Sequence, residues 1–427
     1  MPKVPSVILK LADRILSRLP KKMRDRLYRS LVNCEPPSQR LVLKIAETQE
    51  ELEACFRLLH DAYVDSGFMV PDPSGMRVTL YHALPTTTTL CAKIGNRVVG
   101  TVSLIRESSI GFPLQRIFDL TDVRSKEGQI AEVSALAVHP KFRRSANAVL
   151  LPLVKFMYEY STTFFDTRHL VIAVNPRHIG MYESMVCFKR LTANVVDNYD
   201  FVNGAPAVGA TLDLKYAPEE LRQLNKGRPD NRNMYKFFCE TKLPNIQMPR
   251  RRFFTTNDPV MTPQLIDHFF NKKTTVFADL DDRHKALLHQ IYDSPEYRSI
   301  LPAPPDGAAR NIRQHRRFSV KCPAQLISHT LKTGGIQFEV HEVSRYGFRA
   351  RLAEKVPADT WLNAIIQLGP DEVSRLTVQA VQVSEMNGQC YCGFRISEPD
   401  LAWRKFVAAL YDGNTHADLD DAARFLA

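Results

Sequence analysis

The chain has 427 residues, 44% hydrophobic and 24% charged, with 57 Lys and Arg against 46 Asp and Glu for a formal net charge of +11. At roughly 100 to 200 residues per domain that is two or three domains, each able to bury a core, and the apolar share excludes wholesale disorder. No apolar run reaches the roughly 18 residues a membrane-spanning helix needs, so a soluble chain is expected.

The charge is unevenly placed. Residues 1–40 carry ten Lys and Arg against three Asp and Glu, residues 41–217 balance at 18 each, and residues 218–309 and 310–427 each net +2. No domain-sized stretch is strongly basic, which argues against nucleic acid as a partner. The eight cysteines are scattered, and only Cys390 and Cys392 lie close together, without the second pair that a zinc site needs. A reduced cytoplasm and no metal site are the expectation.

In residues 1–40, Val4, Ile8, Leu11, Ile15 and Leu19 form a helical stripe among basic residues. Lys10, Asp13 and Arg14 break up any signal-peptide core. Such an arm suits either packing on its own protein or a peripheral place on the anionic inner face of the membrane.

Residues 41–217 alternate strand and helix signals, giving a mixed sheet covered by helices. LVLKIA (41–46) is a strand; TQEELEACFRLLHDAYV is a helix capped by Thr48 with Glu51 three residues on. TLCAKI and RVVGTVSLI are two strands about a Gly95-Asn96 type II′ turn. IAEVSALAV is a further strand, and a long helix over 146–165, the strand HLVIAV and a short helix near 179–185 follow. Residues 218–309 are proline-punctuated with helical patterns between, a helical connector or an extension of the first domain, ending in the stiff LPAPPDG linker. From Phe318 the period becomes two, in six short strands at hairpin spacing, which predicts a small antiparallel barrel. AWRKFVAALY then supplies a helix to plug or cover it, and residues 412–427 a tail.

The junction EVSALAVHPKFRRSANA resembles the strand, turn and long helix of GNAT-type acyltransferases, whose R/Q-x-x-G-x-G/A turn cradles the phosphate of an acyl carrier. Here it reads Arg143-Arg144-Ser145-Ala146-Asn147-Ala148, with Ala146 in place of a Gly. A methyl there crowds the pyrophosphate of coenzyme A more than the single phosphodiester of a carrier-protein phosphopantetheine. With VVGTVSLIRES, VNPRHIGMYE and NGAPAVGATLDL, the set resembles the N-acyl amino acid synthases of FeeM type over 41–217. Glu132 and Ser134 also fit the E-x-S strand of autoinducer synthases, with Ala135 where those carry Arg.

The resemblance implies transfer of a fatty acyl chain from acyl-carrier protein, or from acyl-CoA, to the amino group of an amino acid, with no tightly bound cofactor. It implies Glu132 as base, backbone N–H groups of residues 132–136 at the oxyanion, Tyr182 as acid and Ser134 beside them. Arg143, Arg144 and Ser145 would hold the pantetheine phosphate, Asn175 would position the acceptor, and Arg177 and His178 would take its carboxylate or position it. Each has an ordinary structural rival: Glu132 paired with a neighbouring Arg, Tyr182 a core aromatic, His178 a surface residue near a helix start. Phenylalanines 56, 68, 112, 156, 164 and 165 could line an acyl tunnel, though most must be core.

Arg313, Arg316 and Arg317 stand just before the first barrel strand, and Glu342, Ser344 and Gly347 form E-x-S-x-x-G about 25 residues on. Residues 310–411 resemble a PilZ domain, whose R-x-x-x-R and D/N-x-S-x-x-G motifs imply cyclic di-GMP as a regulatory ligand. Guanidinium forks match guanine edges and phosphates; Glu342 is one methylene longer than the family's residue. The reading is an acyltransferase regulated by cyclic di-GMP. Its rivals are a dinucleotide receptor or adaptor with an inactive acyltransferase fold, and an acetyl-CoA-dependent N-acetyltransferase.

Overall fold

The computed structural model describes residues 20–30, 32–143, 146–165, 167–256, 261–292, 295–304, 317–327, 335–353, 356, 359–386 and 389–412. By contacts the chain divides into two units, residues 1–77 with 89–247, and residues 78–88 with 248–427.

The first unit is built on a sheet in the order β1-β2-β3-β4-β5-β8-β6, with β7 paired to β8. Its strands are β1 (Leu41–Ile45), β2 (Thr87–Ile94), β3 (Arg97–Arg106), β4 (Gln129–Val138), β5 (Thr167–Val174), β6 (Lys189–Arg190), β7 (Val196–Tyr199) and β8 (Ala205–Asp213). Among the strand pairings whose register is described, β4 with β5 is parallel and the others are antiparallel. This is the mixed α/β sheet expected of a GNAT-like fold. Gly95 sits at φ +58 between β2 and β3, as the first position of a type II′ turn requires.

Helix α1 (Lys21–Ser30) precedes β1, α2 (Gln49–Asp65) follows it, α3 (Ala146–Phe165) joins β4 to β5, and α4 (Pro176–Val186) follows β5. The Thr48 hydroxyl caps α2 by accepting from the Glu51 N–H at 3.2 Å. The Glu51 carboxylate turns to Lys44 and Lys93, at 3.0 and 2.6 Å, and ties the helix to β1 and β2.

Of the N-terminal arm, the stripe from Val4 to Leu19 lies outside the described residues. Helix α1 packs on α4: the Tyr28 ring lies over Gly180, and the Ser184 hydroxyl donates to Asp25. Val32 and Cys34 then enter a core with Leu151, Cys187, Leu221 and Phe237. The proline-rich stretch divides rather than acting as one connector. Residues 218–247 belong to the first unit because Leu221, Met234, Phe237, Phe238 and Leu243 are buried there.

The second unit contains a closed barrel in the order β10-β11-β14-β13-β12-β9, as the period of two predicts. Its strands are β9 (Phe318–Ile327), β10 (Ile336–Ser344), β11 (Gly347–Leu352), β12 (Trp361–Gln367), β13 (Val373–Met386) and β14 (Gln389–Ile396). The closing helix α5 (Leu401–Asp412) sends Trp403, Phe406, Val407 and Leu410 into the barrel core. Phe253 joins that core from the preceding segment, where the Phe254 N–H donates to the Leu368 carbonyl at 2.8 Å. A Cβ on Gly369 would meet the Arg252 carbonyl at 1.9 Å, so glycine alone admits this strap. Among the described residues no helix is long and apolar enough to cross a membrane.

Candidate functional site

The first site begins where two strands part. β4 pairs with β5 only from Gln129↔Thr167 to Glu132↔Val171, after which β5 continues against β8, from Ile172↔Ala210 to Val174↔Val208. On its other side β4 steps in register against β3, from Ser103↔Ser134 to Thr101↔Ala137, so Ala135 and Leu136 face the single residue Val102. That is a β-bulge, and Ala135 within it has φ +54. Alanine tolerates this left-handed backbone better than any branched residue.

A cavity of about 400 Å³ opens into the gap, lined by β4 from Val133 to Val138, by Ile172 and Val174 of β5, and by Met157 of α3. It is mostly apolar and extends to Leu221 and Phe238. Of the six candidate phenylalanines only Phe68 lines it; Phe56, Phe112, Phe156 and Phe165 are core.

The expected side chains meet here in part. Ser134, Asn175, His178 and Tyr182 line the cavity. Asn175 also caps α4, its side-chain oxygen accepting from the Arg177 N–H at 3.1 Å. Arg177 itself is exposed and does not line the cavity. Arg144 and Ser145 lie outside the described residues, as does the Arg143 side chain; its backbone ends a short helix, Pro140–Arg143, after β4.

Glu132 is 2% exposed and among the described residues has no Arg partner: its Oε2 accepts from the Leu114 N–H at 3.1 Å. Burial pushes its carboxyl up to about 8, the Leu114 hydrogen bond opposing. Burial, with a smaller contribution from the neighbouring Tyr63, pushes Tyr182 up to about 12, so it stays protonated as a donor. The Tyr182 ring packs edge-on against Phe188, centroids 5.9 Å apart.

Tyr63 on α2 is a member that sequence reasoning missed. It lines the cavity and is close enough to Glu132 and Arg77 to feel both charges; burial raises its pKa, Arg77 opposes and Glu132 adds. The Arg77 guanidinium lies 4.2 Å from the Tyr63 ring centroid and 5.0 Å from that of Phe201, and donates to the Phe201 carbonyl at 2.7 Å. One signal was available: Arg77 is the only Asp, Glu, Lys or Arg between Asp72 and Lys93.

The second site lies on the barrel. A pocket of about 210 Å³ is lined by Arg317, Glu342, Ser344, Gly347, Arg349 and Gln382, among others. Glu342 follows a bulge in β10, and its Oε2 accepts from Arg317 Nη1 at 3.1 Å. The Ser344 hydroxyl donates to the Gly347 carbonyl at 3.0 Å, and a Cβ on Gly347 would meet the Phe394 carbonyl at 2.6 Å. Trp403 Nε1 donates to the carbonyls of Ser344 and Arg345, both at 3.2 Å, and so fixes the turn. Arg313 and Arg316 lie outside the described residues.

Residues 54–213 match the family model described as N-acyl amino acid synthase FeeM. Among solved structures, FeeM, an N-acyl amino acid synthase from uncultured soil microbes, is 24% identical over 42% of this chain and 93% of that one, with a TM-score of 0.36. The CoA-dependent acyl-homoserine lactone synthase BjaI is 18% identical over 49% of this chain and 95% of that one, TM-score 0.35. YcgR from Escherichia coli, solved with c-di-GMP, is 19% identical over 26% of this chain, TM-score 0.21, and the chain spans about half of its length, 48%. No curated protein matches. Within this chain it is thus residues 54–213 that match the N-acyl amino acid synthase FeeM family, and the enzyme class that goes with this match is acyltransferase.

Proposed function

We propose that the first unit moves a long-chain fatty acyl group from the phosphopantetheine thioester of acyl-carrier protein to the amino group of an amino acid, and that cyclic di-GMP on the barrel regulates it. The carrying observation is the cavity in the gap between β4 and β5, with a bulged strand, a high-pKa carboxyl and a protonated tyrosine around it. An apolar wall suits an acyl chain, and the unpaired edge of β4 suits the amide groups of a pantetheine arm.

An ammonium must lose a proton before it can attack. Glu132, with a pKa near 8, is matched to that task near neutral pH. Because Glu132 does not line the cavity, the proton would reach it past Tyr63, directly or through water. The amine nitrogen then bonds to the thioester carbon and the oxyanion meets backbone N–H groups of the bulge; as the carbon–sulfur bond breaks, Tyr182 protonates the departing thiolate and its oxygen takes up the surplus proton of the new amide nitrogen. Arg143, Arg144 and Ser145 would hold the pantetheine phosphate, and Asn175 and His178 would line the acceptor's approach.

The regulatory half rests on the barrel pocket, where Arg317, Glu342 and Ser344 converge at Gly347. Arg313 and Arg316 complete the proposed dinucleotide arm. The test is N-acyl amino acid formation from acylated carrier protein, followed by mass spectrometry with and without cyclic di-GMP. No product from the full chain sinks the enzyme. Product formed at a rate indifferent to the dinucleotide sinks the regulation alone.

A further inference from the structure

We infer that Arg77, in its frame of Tyr63, Tyr199 and Phe201, is the site that takes the carboxylate of the acceptor amino acid. This rests on the acyl-transfer reading and names the group that selects its acceptor.

Four observations carry it. First, Arg77 is a partly buried cation with no carboxylate partner: no ion pair reaches it among the described residues, and the groups that influence it are the hydroxyls of Tyr63 and Tyr199. Its guanidinium faces two aromatic rings and donates to one backbone carbonyl. Desolvating a cation without an anion is unfavourable, and π faces compensate only in part. A fold that keeps one beside a cavity has left room for an anion from elsewhere.

Second, the chemistry fits. A guanidinium has five N–H donors in a planar fork, and a carboxylate accepts two of them in parallel. Third, the location fits. Tyr63 and Tyr199 line the cavity, and Tyr63 is the neighbour of both Glu132 and Arg77. In an α-amino acid one carbon separates the amine from the carboxylate, so base and anion holder must be near neighbours, as these two are across a single ring. Fourth, of the two basic residues the sequence offered for this carboxylate, Arg177 is exposed and does not line the cavity, and His178 lines it but is exposed and lacks the planar fork of a guanidinium.

The experiment uses the full chain and the twenty proteinogenic L-amino acids, each paired with its carboxamide. Equilibrium binding is read by calorimetry and saturation-transfer NMR, and product from acylated carrier protein is measured in parallel. The wild-type protein should bind at least one free acid tenfold or more tightly than its amide. Arg77→Met should bring that ratio to within about twofold of one. Arg77→Lys, which keeps the charge and loses the fork, should fall between, and thermal melting of both variants reports folding independently.

Equal binding of acid and amide by the wild type, or an unchanged ratio in folded Arg77→Met, overturns the inference. Acid-selective binding that depends on Arg77 but yields no N-acyl product supports the carboxylate site and overturns the acyl-transfer reading. Product formed equally from acid and amide does the reverse.

Discussion

A glutamate buried to 2% exposure, its carboxylate accepting from the Leu114 N–H and paired with no cation among the described residues, is an uncommon residue to keep on a central strand. Its carboxyl, near 4.5 in water, sits near 8 in the fold, so the folded state holds a proton that the unfolded chain releases. The sign follows. Between about pH 4.5 and 8 the native state binds more protons than the unfolded one, and stability falls as pH rises through that window. Glu132→Gln keeps the shape and removes the titration, so its melting temperature should exceed the wild type's at pH 8.5 and converge with it near pH 5. Catalysis should move the other way: the wild-type rate should rise with pH through about 8, and Glu132→Gln should lose ~10²–10⁴-fold without that rise. A variant equally active at every pH would leave Glu132 a buried curiosity.

At the scale of elements, the bulge in β4 decides what the strand can do, because it sets where the backbone N–H groups proposed to meet the oxyanion point. Ala135 holds φ +54 there, a left-handed conformation that costs an L-residue roughly 1–2 kcal/mol and that a β-branched side chain tolerates least. Ala135→Val should therefore either flatten the bulge or lower stability, and in both cases slow acyl transfer by tenfold or more. Ala135→Gly should retain the rate. Melting curves beside product assays separate the two valine outcomes.

Elements were also where the sequence was most readable. The long helix over 146–165 and the six barrel strands follow from periodicity and lie where expected. Less legible was the proline-rich stretch, because prolines advertise breaks while the buried Met234, Phe237 and Phe238 that decide its allegiance show no period. Tyr63 was hidden as the end of an amphipathic helix, and Arg77 as a loop residue. Their juxtaposition comes from tertiary packing between α2 and the segment around Phe201, which no local pattern encodes.

For the molecule as a whole, a net charge of +11 suggests a polyanion partner, yet the described barrel spends its arginines locally. Arg317 is ion-paired with Glu342 at the pocket mouth, with both side chains partly exposed, 48% and 36%. Exposed pairs of this kind contribute ~0–1 kcal/mol, so a ligand phosphate or guanine edge can displace the carboxylate at little cost. On the proposed reading, Glu342, one methylene longer than aspartate, swings aside as Arg317 turns to the dinucleotide. Arg317→Ala should then weaken cyclic di-GMP binding by tenfold or more while lowering barrel stability by no more than about 1 kcal/mol, measured by calorimetry and melting. If the barrel governs the first unit, the dinucleotide must bind its two states differently, and the acyl-transfer response of full-length Arg317→Ala should shift to higher dinucleotide concentration by the same factor as its affinity. An affinity loss with an unshifted response would mean that the barrel binds its ligand for some other purpose.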